Sequence, residues 1–321
     1  MLISGFSFAR NAHKLGYPVA ESIKSILPIC DEFIIAIGQG DDGDRTRESV
    51  LNINDPKIRI IDTEWRDIER IRSAIYSRQT NIALSECRGE WCFYIQADEI
   101  LHEKYLGTVR RACDHFASDR SVDGLLFRYR HFWGDYDHYL VNHRWYPREI
   151  RIIRNNRKIV SVGDAQSFRY ADRRKVPVVA LDAEIFHYGH VRDPRTLHVR
   201  KKVVNSIYKG TAESERNTPQ KTDAPFDYGS LEKLPVYSGT YPQVMKERIA
   251  SINWKHLLTY SGKSAAKLPH DRLKYRILTF IEQKIFMGSG REFWGYKPYR
   301  VLRFRTRKYS ETTKSAPETP Q

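Results

Sequence analysis

The sequence is poor in cysteine and has no long hydrophobic run. Four cysteines are present, and no two of them form a Cys-x-x-Cys pair: Cys30, Cys87, Cys92 and Cys113. This excludes a zinc ribbon and a disulfide-stapled scaffold, so we expect four reduced, buried thiols. No apolar stretch approaches the roughly 20 residues of a transmembrane helix, and the N-terminus lacks the charged-then-apolar order of a signal peptide. We therefore expect a cytoplasmic protein.

Acidic residues are in deficit. The chain has 39 Asp and Glu against 54 Lys and Arg, which gives a net charge of +15. That balance favours anionic partners, such as nucleotide phosphates, nucleic acid or an acidic membrane surface, without choosing among them. Hydrophobic residues make up 40% of the sequence, enough for a large core, which excludes a disordered chain.

Short apolar runs alternate with helical patterns over the first 126 residues, which predicts an α/β domain with a mostly parallel sheet and helices on both faces. Strands are predicted at residues 2–8, 33–37, 58–61, 91–95 and 124–129. Helical spacing of Leu15, Val19, Ile23 and Ile26 predicts a helix after the first strand, and Ile68, Ile71, Ile75 and Ile82 predict another before the fourth.

The second half of the chain has a different pattern. We predict a β-hairpin formed by residues 150–153 and 159–162, a lid-like loop at about 211–243, an amphipathic helix over 272–287 and a disordered tail at 311–321. These features predict a nucleotide-binding domain over 1–195 and a basic, partly helical C-terminal extension over 196–310.

Ligands of parallel α/β sheets bind beyond the carboxyl ends of the strands, and polar residues follow three of the predicted strands. Phe8, Ala9, Arg10 and Asn11 follow the first strand, Asp41 and Asp42 the second, and Gln96, Asp98 and Glu99 the fourth. Asp98 suits a hard divalent ion that neutralises a diphosphate. Alternation along an extended segment places Gln96 on the same face, within reach of a ribose. The alternatives are a solvated turn for the acidic loop and a helix N-cap at Asp98.

In their order and spacing, these segments resemble the family-2 glycosyltransferases of the GT-A fold that build bacterial cell-surface polysaccharide and lipopolysaccharide. The resemblance covers residues 1–195 and rests on Phe-Ala-Arg-Asn at 8–11, Gly-Asp-Asp-Gly-Asp-Arg-Thr at 40–46, Gln-Thr-Asn at 79–81 and the run from 89 to 99. It implies a Rossmann-like nucleotide-binding domain that holds a sugar nucleotide with Mn²⁺ or Mg²⁺.

The resemblance also implies residue roles. Phe8, Ala9, Arg10, Asn11, Asp41, Asp42, Asn81, Gln96 and Asp98 would contact the sugar nucleotide, with Asp41 or Asp42 at a uracil-like edge. Asp98 would bind the ion, and His187 would complete the metal shell, although a histidine in this apolar context is also typical of a core residue. Gln96 replaces the first acid of the family pattern and brings no charge, which leaves the ion's identity and necessity open.

An inverting transfer needs a carboxylate base. Asp164 is our candidate, with Asp135 and Asp137 as rivals, although a Gly-Asp pair is also common in structural turns. A wall of aromatic residues could stack on sugars or pack in the core. It comprises Trp133, Tyr136, Trp145 and Tyr146.

We therefore expect transfer of a sugar from a UDP- or GDP-linked donor to a glycan or lipid-linked hydroxyl. The basic and amphipathic residues 272–309 suit peripheral contact with an anionic membrane, and a solvated charged face is the alternative. Two alternatives stay open. A basic chain with interleaved aromatics also fits nucleic-acid binding, although zinc-knuckle, helix-turn-helix and Arg-Gly patterns are lacking and we do not expect that partner. A non-catalytic sugar-nucleotide binder would share the same site.

Overall fold

The computed structural model describes residues 1–65, 74–197, 225–262, 268, 272–285 and 297–302. The strands are β1 (Ile3–Ala9), β2 (Glu32–Gly38), β3 (Ile58–Thr63), β4 (Trp91–Tyr94), β5 (Glu99–Leu101), β6 (Gly124–Trp133), β7 (Tyr139–Leu140), β8 (Arg148–Arg154), β9 (Ile159–Val162), β10 (Ser167–Tyr170), β11 (Val176–His190) and β12 (Tyr299–Val301). The helices are α1 (Val19–Ile26), α2 (Thr46–Leu51), α3 (Ala74–Ser85), α4 (Leu106–Phe116), α5 (Lys246–Ala250) and α6 (Leu273–Phe280).

One large sheet runs in the order β12-β11-β6-β8-β4-β1-β2-β3. The pairs β4-β1, β1-β2, β2-β3, β11-β6 and β11-β12 are parallel, whereas β8 is antiparallel to both of its neighbours. All five predicted strands are present, with ends that differ by a few residues. The predicted mostly parallel α/β class is confirmed.

Helices α1, α2 and α4 contribute buried apolar residues to one core cluster, and α3 contributes to another. Val19, Ile23 and Ile26 of α1 are buried in one core cluster, together with residues of α2 and α4. Ala83 of α3 belongs to a second cluster, which also contains residues of β9 and β10. The helix predicted from Ile75 and Ile82 is confirmed, while residues 68 and 71 lie outside the described part of the chain.

The predicted hairpin of residues 150–153 and 159–162 is wrong. Both segments are strands, but β8 lies inside the large sheet between β4 and β6, and β9 pairs with β10 in a separate two-stranded sheet. Every residue from Ile150 to Ile153, including Arg151, is buried because both faces of an interior strand are covered. Local alternation identifies a strand but does not select its partner.

The C-terminal part of the described chain contacts the same sheet. β12 extends its edge beside β11, and Tyr228 and Leu231 are buried against the residues around β7. A helix is present in the predicted segment 272–287, where α6 continues as a π-helical turn, Ile281–Ile285, and residues 286 and 287 lie outside the described part of the chain. The boundary at 195 stays a prediction, and residues 211–224 and the tail at 311–321 lie outside the described residues.

All four cysteines are buried and free, as expected. Within the described ranges, no helix is both long enough and apolar enough to cross a membrane.

Candidate functional site

A cavity opens beyond the carboxyl ends of β1 and β4. Eight of the predicted nucleotide, metal or base residues line it: Phe8, Ala9, Arg10, Asn11, Gln96, Asp98, Asp164 and His187. Parallel strands end at one edge of a sheet, so the first and fourth strands deliver their trailing residues to the same place. β11 and the turn between β9 and β10 bring in the two residues that are most distant in sequence.

The turn that carries Asp98 is held from two sides. The Ser22 hydroxyl of α1 donates to the Gln96 carbonyl at 2.7 Å, and the Tyr188 amide donates to the Asp98 carbonyl at 2.8 Å. The chain then enters β5 at Glu99. The helix N-cap alternative is therefore wrong, because a strand follows the two acids.

Behind this turn lies a fully buried ion pair. The Arg151 guanidinium donates to both carboxylate oxygens of Glu99, with Nε–Oε2 at 2.8 Å and Nη2–Oε1 at 2.6 Å. The Tyr129 hydroxyl donates to the same carboxylate at 2.8 Å, and the backbone amide of Gln96 donates to it at 3.1 Å. A bidentate pair with further donors compensates the large cost of burying the two charges. Glu99 thus fixes the base of the turn rather than facing the ligand.

Asp98 and His187 face each other across a small space. Oδ2 of Asp98 lies 3.5 Å from Nε2 of His187. A Cβ atom on Gly189 would lie 2.6 Å from that oxygen and 2.7 Å from that nitrogen, so any larger residue would fill the space between them. The missing side chain of Gly189 leaves room for an ion.

A chain of hydrogen bonds sets the tautomer of His187. Nε2 of His131 lies 2.8 Å from the Tyr146 carbonyl, which only accepts, so this nitrogen carries a hydrogen. Burial of the ring and, to a lesser extent, the neighbouring His187 lower the pKa of His131 to about 3. The His131 ring is therefore neutral, and its Nδ1 atom accepts a hydrogen bond. Nδ1 of His187 lies 3.0 Å away and must donate. In its neutral form, His187 therefore presents a lone pair on Nε2 towards Asp98.

These residues fit a divalent ion. Two adjacent ligands about 2.1 Å from one ion lie roughly 3.0–3.4 Å apart, close to the observed 3.5 Å. Carboxylate oxygen and imidazole nitrogen are both ligands that Mn²⁺ accepts. No cluster of three or more His, Cys, Asp or Glu side chains could hold an ion in the part of the chain that the structure describes. Remaining ligands would have to come from a bound diphosphate and water.

Asp164 lies at the tip between β9 and β10 and lines the cavity. Its neighbours Gly163 and Ala165 both have φ +61°, so the tip has a left-handed backbone on either side of the acid. The structure does not bring the rivals Asp135 and Asp137 into this cavity. Asp135 accepts from the backbone of the following turn and from Tyr260, and Asp137 binds Tyr241 and Lys255. Both tie chain segments together.

Neither acid of the predicted acidic loop lines the cavity, but Asp41 bonds to two residues that do. Nη2 of Arg10 lies 3.0 Å from Oδ1 of Asp41, and the Asp41 amide donates to the Asn11 side chain at 2.8 Å. Asp42 is exposed and outside the cavity lining. The structure places Asn81 outside the cavity lining, where its side chain pairs with both backbone groups of Ser161 at 3.0 and 2.8 Å. These bonds fasten α3 to β9.

One corner of the cavity is aromatic, and two of its residues were not predicted from the sequence. Trp65 and Tyr76 line it beside Phe8, with ring centroids 5.7–6.2 Å apart, and the Arg10 guanidinium lies 5.5 Å from the Trp65 ring centre. Trp65 follows the carboxyl end of β3. The predicted site residues follow β1, β2 and β4 but not β3. Of the aromatic wall, Tyr146 lines this cavity, Trp145 lines a neighbouring one, and Trp133 and Tyr136 are buried in the core.

No protein-family model and no curated protein sequence matches the chain. Solved structures do. S. aureus TarS is 12% identical, with a TM-score of 0.37 over 67% of this chain and 42% of TarS. The mannosyltransferase PcManGT from Pyrobaculum calidifontis, in complex with GDP-Man and Mn²⁺, is 18% identical, with a TM-score of 0.30 over 38% of this chain and 34% of that one.

Glucosyl-3-phosphoglycerate synthase from Mycobacterium tuberculosis, in complex with Mn²⁺, UDP and phosphoglyceric acid, is 16% identical, with a TM-score of 0.27 over 41% of this chain and 43% of the synthase. The matched region thus spans less than half of each of these three proteins. Likenesses this distant do not establish an activity, which has to be inferred from the cavity itself.

Proposed function

We propose that this chain transfers a glycosyl group from a nucleotide-diphosphate sugar to a hydroxyl acceptor, with inversion and with help from a divalent ion. One observation carries the proposal. Asp98 and His187 face a space kept open by Gly189, and Asp164 lines the same cavity. An ion position and a separate carboxylate in one crevice are what transfer to a hydroxyl requires.

The two ends of the cavity suit the two parts of a sugar nucleotide. The aromatic corner of Phe8, Trp65 and Tyr76 offers ring faces to a base, and Arg10 beside it offers a cation. Asp98 and His187 would hold Mn²⁺ or Mg²⁺, which stabilises the leaving diphosphate when bound. The donor would lie with its anomeric carbon towards Asp164.

In the transfer step, the acceptor hydroxyl oxygen attacks the anomeric carbon, and the bond from that carbon to the phosphate oxygen breaks. The leaving nucleoside diphosphate takes the bonding electron pair, and the Asp164 carboxylate takes the hydroxyl proton. Asp164 is exposed at its tip, so it can meet an acceptor that arrives from solvent.

A two-part experiment tests this proposal. UDP, GDP, UDP-glucose and GDP-mannose are each tested with Mn²⁺ for a rise in melting temperature, and the sugar nucleotides that bind are tested for nucleoside diphosphate release. Asp164→Asn should lower turnover about 10²–10⁴-fold while leaving donor affinity within twofold. Asp42→Asn, on an exposed loop, is the matched control. A chain that no nucleotide diphosphate stabilises, or that binds oligonucleotides more tightly, would contradict the proposal.

We also infer that α6 contacts an anionic membrane, where lipid-linked acceptors are found. α6 docks through its more polar side, since Oγ1 of Thr279 accepts from the His143 amide at 3.0 Å and Glu282 in the following turn lies 2.7 Å from Nδ1 of His143. Its apolar stripe points outward instead. Leu273, Ile277 and Phe280 are 69%, 51% and 61% exposed.

The exposed stripe is flanked by positive charge. Lys274 and Arg276 are exposed on either side of it, and Lys284 follows in the π-helical turn. An apolar stripe bordered by basic residues is typical of a helix that lies in the interface of an anionic bilayer. This supports membrane contact over a purely solvated charge run.

A further inference from the structure

Gln96 donates hydrogen bonds within the protein. Its Nε2 atom lies 3.2 Å from the carbonyl oxygen of Ala165 and 3.3 Å from the hydroxyl oxygen of Tyr94. Ala165 directly follows Asp164 at the tip between β9 and β10. The residue that replaces the first acid of the family pattern is therefore bonded to the segment that carries the candidate base.

The tip needs such a restraint. Ala165 is fully buried and has φ +61°, a left-handed conformation that costs a residue with a Cβ about 1 kcal/mol or more. A strained backbone persists only where its surroundings hold it. The Ala165 amide bonds to the Val162 carbonyl at 3.2 Å, and its carbonyl is the group that Gln96 holds.

A second anchor acts on the next carbonyl. Nη1 of Arg151 donates to the Gln166 carbonyl at 2.9 Å, while the same guanidinium is paired with Glu99. The Gln166 amide in turn donates to Oδ1 of Asp164 at 3.3 Å. Two successive carbonyls after Asp164 are thus held, that of Ala165 by Gln96 and that of Gln166 by Arg151. The Gln166 backbone amide also orients the Asp164 carboxylate directly.

We propose that Gln96 is a positioning residue for Asp164, holding the tip so that its carboxylate stays over the cavity that Asp98 and His187 share. The inference rests on the proposed function for the role of Asp164. It also accounts for the amide at this position, because a carboxylate has no hydrogen to donate and would repel the Ala165 carbonyl. A direct ribose contact is then not the main role of Gln96.

Two variants separate the lost donor from an added charge. Gln96→Met keeps the approximate length and removes the donor, and Gln96→Glu keeps the shape but puts an acceptor against the Ala165 carbonyl. Gln243→Met, at an exposed glutamine elsewhere, is the control. Amide hydrogen exchange over residues 163–167 is measured first, because it needs no substrate. Affinity for UDP with Mn²⁺ and turnover of the best-binding sugar nucleotide are measured next.

Both variants should exchange faster at the Ala165 and Gln166 amides and lose up to about 10²-fold in turnover, with UDP affinity within twofold of wild type. Unchanged exchange would overturn the inference, as would wild-type turnover in Gln96→Met. Loss of UDP affinity with unchanged exchange would make Gln96 a ligand-binding residue instead. If the wild-type chain binds no sugar nucleotide, the proposed function fails, and the exchange data alone decide whether Gln96 restrains the tip.

Discussion

The Nε2 atom of His187 lies 3.5 Å from Oδ2 of Asp98, and both atoms present lone pairs to the same space. The orientation of His187 is fixed from behind by His131, so this approach is built into the protein. Two electron-rich atoms held this close are stabilised by a cation between or beside them. A divalent ion can play that part when a diphosphate supplies further oxygens.

Gly189→Ala tests whether the space is needed. The added methyl would lie within 2.7 Å of both candidate ligands, and Gly189 does not have the positive φ that would strain an alanine. We expect Mn²⁺ affinity in the presence of UDP to fall at least tenfold, as measured by calorimetry. Gly107→Ala in α4 is the control, since its Cβ would meet only the flexible end of Arg111. Wild-type Mn²⁺ affinity in Gly189→Ala would place the ion elsewhere.

His131→Phe tests the tautomer chain. Phenylalanine keeps a buried ring but removes the acceptor for Nδ1–H of His187, and loss of such a partner typically costs about 10–100-fold in metal affinity. His102→Phe removes another buried imidazole, one that bonds to Thr240, and should leave Mn²⁺ binding unchanged. Melting temperatures of both variants report the general cost of losing a buried hydrogen bond. Equal Mn²⁺ affinity in the two variants would show that His131 does not orient His187.

Trp65→Leu tests the aromatic corner. Loss of a ring that stacks on a base costs about 1–3 kcal/mol, so the affinities for UDP and GDP should both fall by roughly 5–150-fold. Tyr76→Phe keeps its ring and should bind both nucleotides within about twofold of wild type. Fluorescence titration without metal separates base contact from ion contact. Undiminished nucleotide affinity in Trp65→Leu would remove the base from this corner.

The double variant Ile277→Ser and Phe280→Ser tests membrane contact. We expect wild-type protein to co-sediment with vesicles of phosphatidylglycerol and phosphatidylethanolamine but less with phosphatidylcholine, and the variant to lose most of this binding. Leu51→Ser changes a similarly exposed apolar residue of α2, 57% exposed, and should not alter it. If the double variant sediments like wild type, or wild type self-associates through α6 in solution, the membrane inference fails.

Local sequence patterns predicted β1 to β4, β6 and the helices α1, α3 and α6, because burial on a sheet or helix face imposes a fixed period on apolar residues. They did not predict β11 or α4. The pairing partners of the strands were less predictable. The local pattern of β8 has no feature that selects β4 and β6 over β9, and the position of β8 between those two strands places Arg151 behind Glu99.

Site residues followed the same division. Those directly after β1 and β4 were predictable, since the strand ends locate them. Trp65 was equally predictable, because it lies just beyond the end of β3 and lines the cavity. The roles of Gln96 and Asn81 were not predictable, because an amide side chain can both donate and accept hydrogen bonds. Only the fold shows that Gln96 faces Ala165 and that Asn81 faces Ser161.

The most direct test of the site is the thermal stability of Asp98→Asn with Mn²⁺ and a nucleoside diphosphate. Asparagine keeps the size of the side chain and removes its charge. Wild type should be stabilised most when Mn²⁺ and UDP or GDP are both present, by about 2.7 kcal/mol at a hundred times the dissociation constant. Asp98→Asn should lose that stabilisation while melting near wild type without ligand. Stabilisation of Asp98→Asn equal to that of wild type would contradict a metal-assisted sugar-nucleotide site at this cavity.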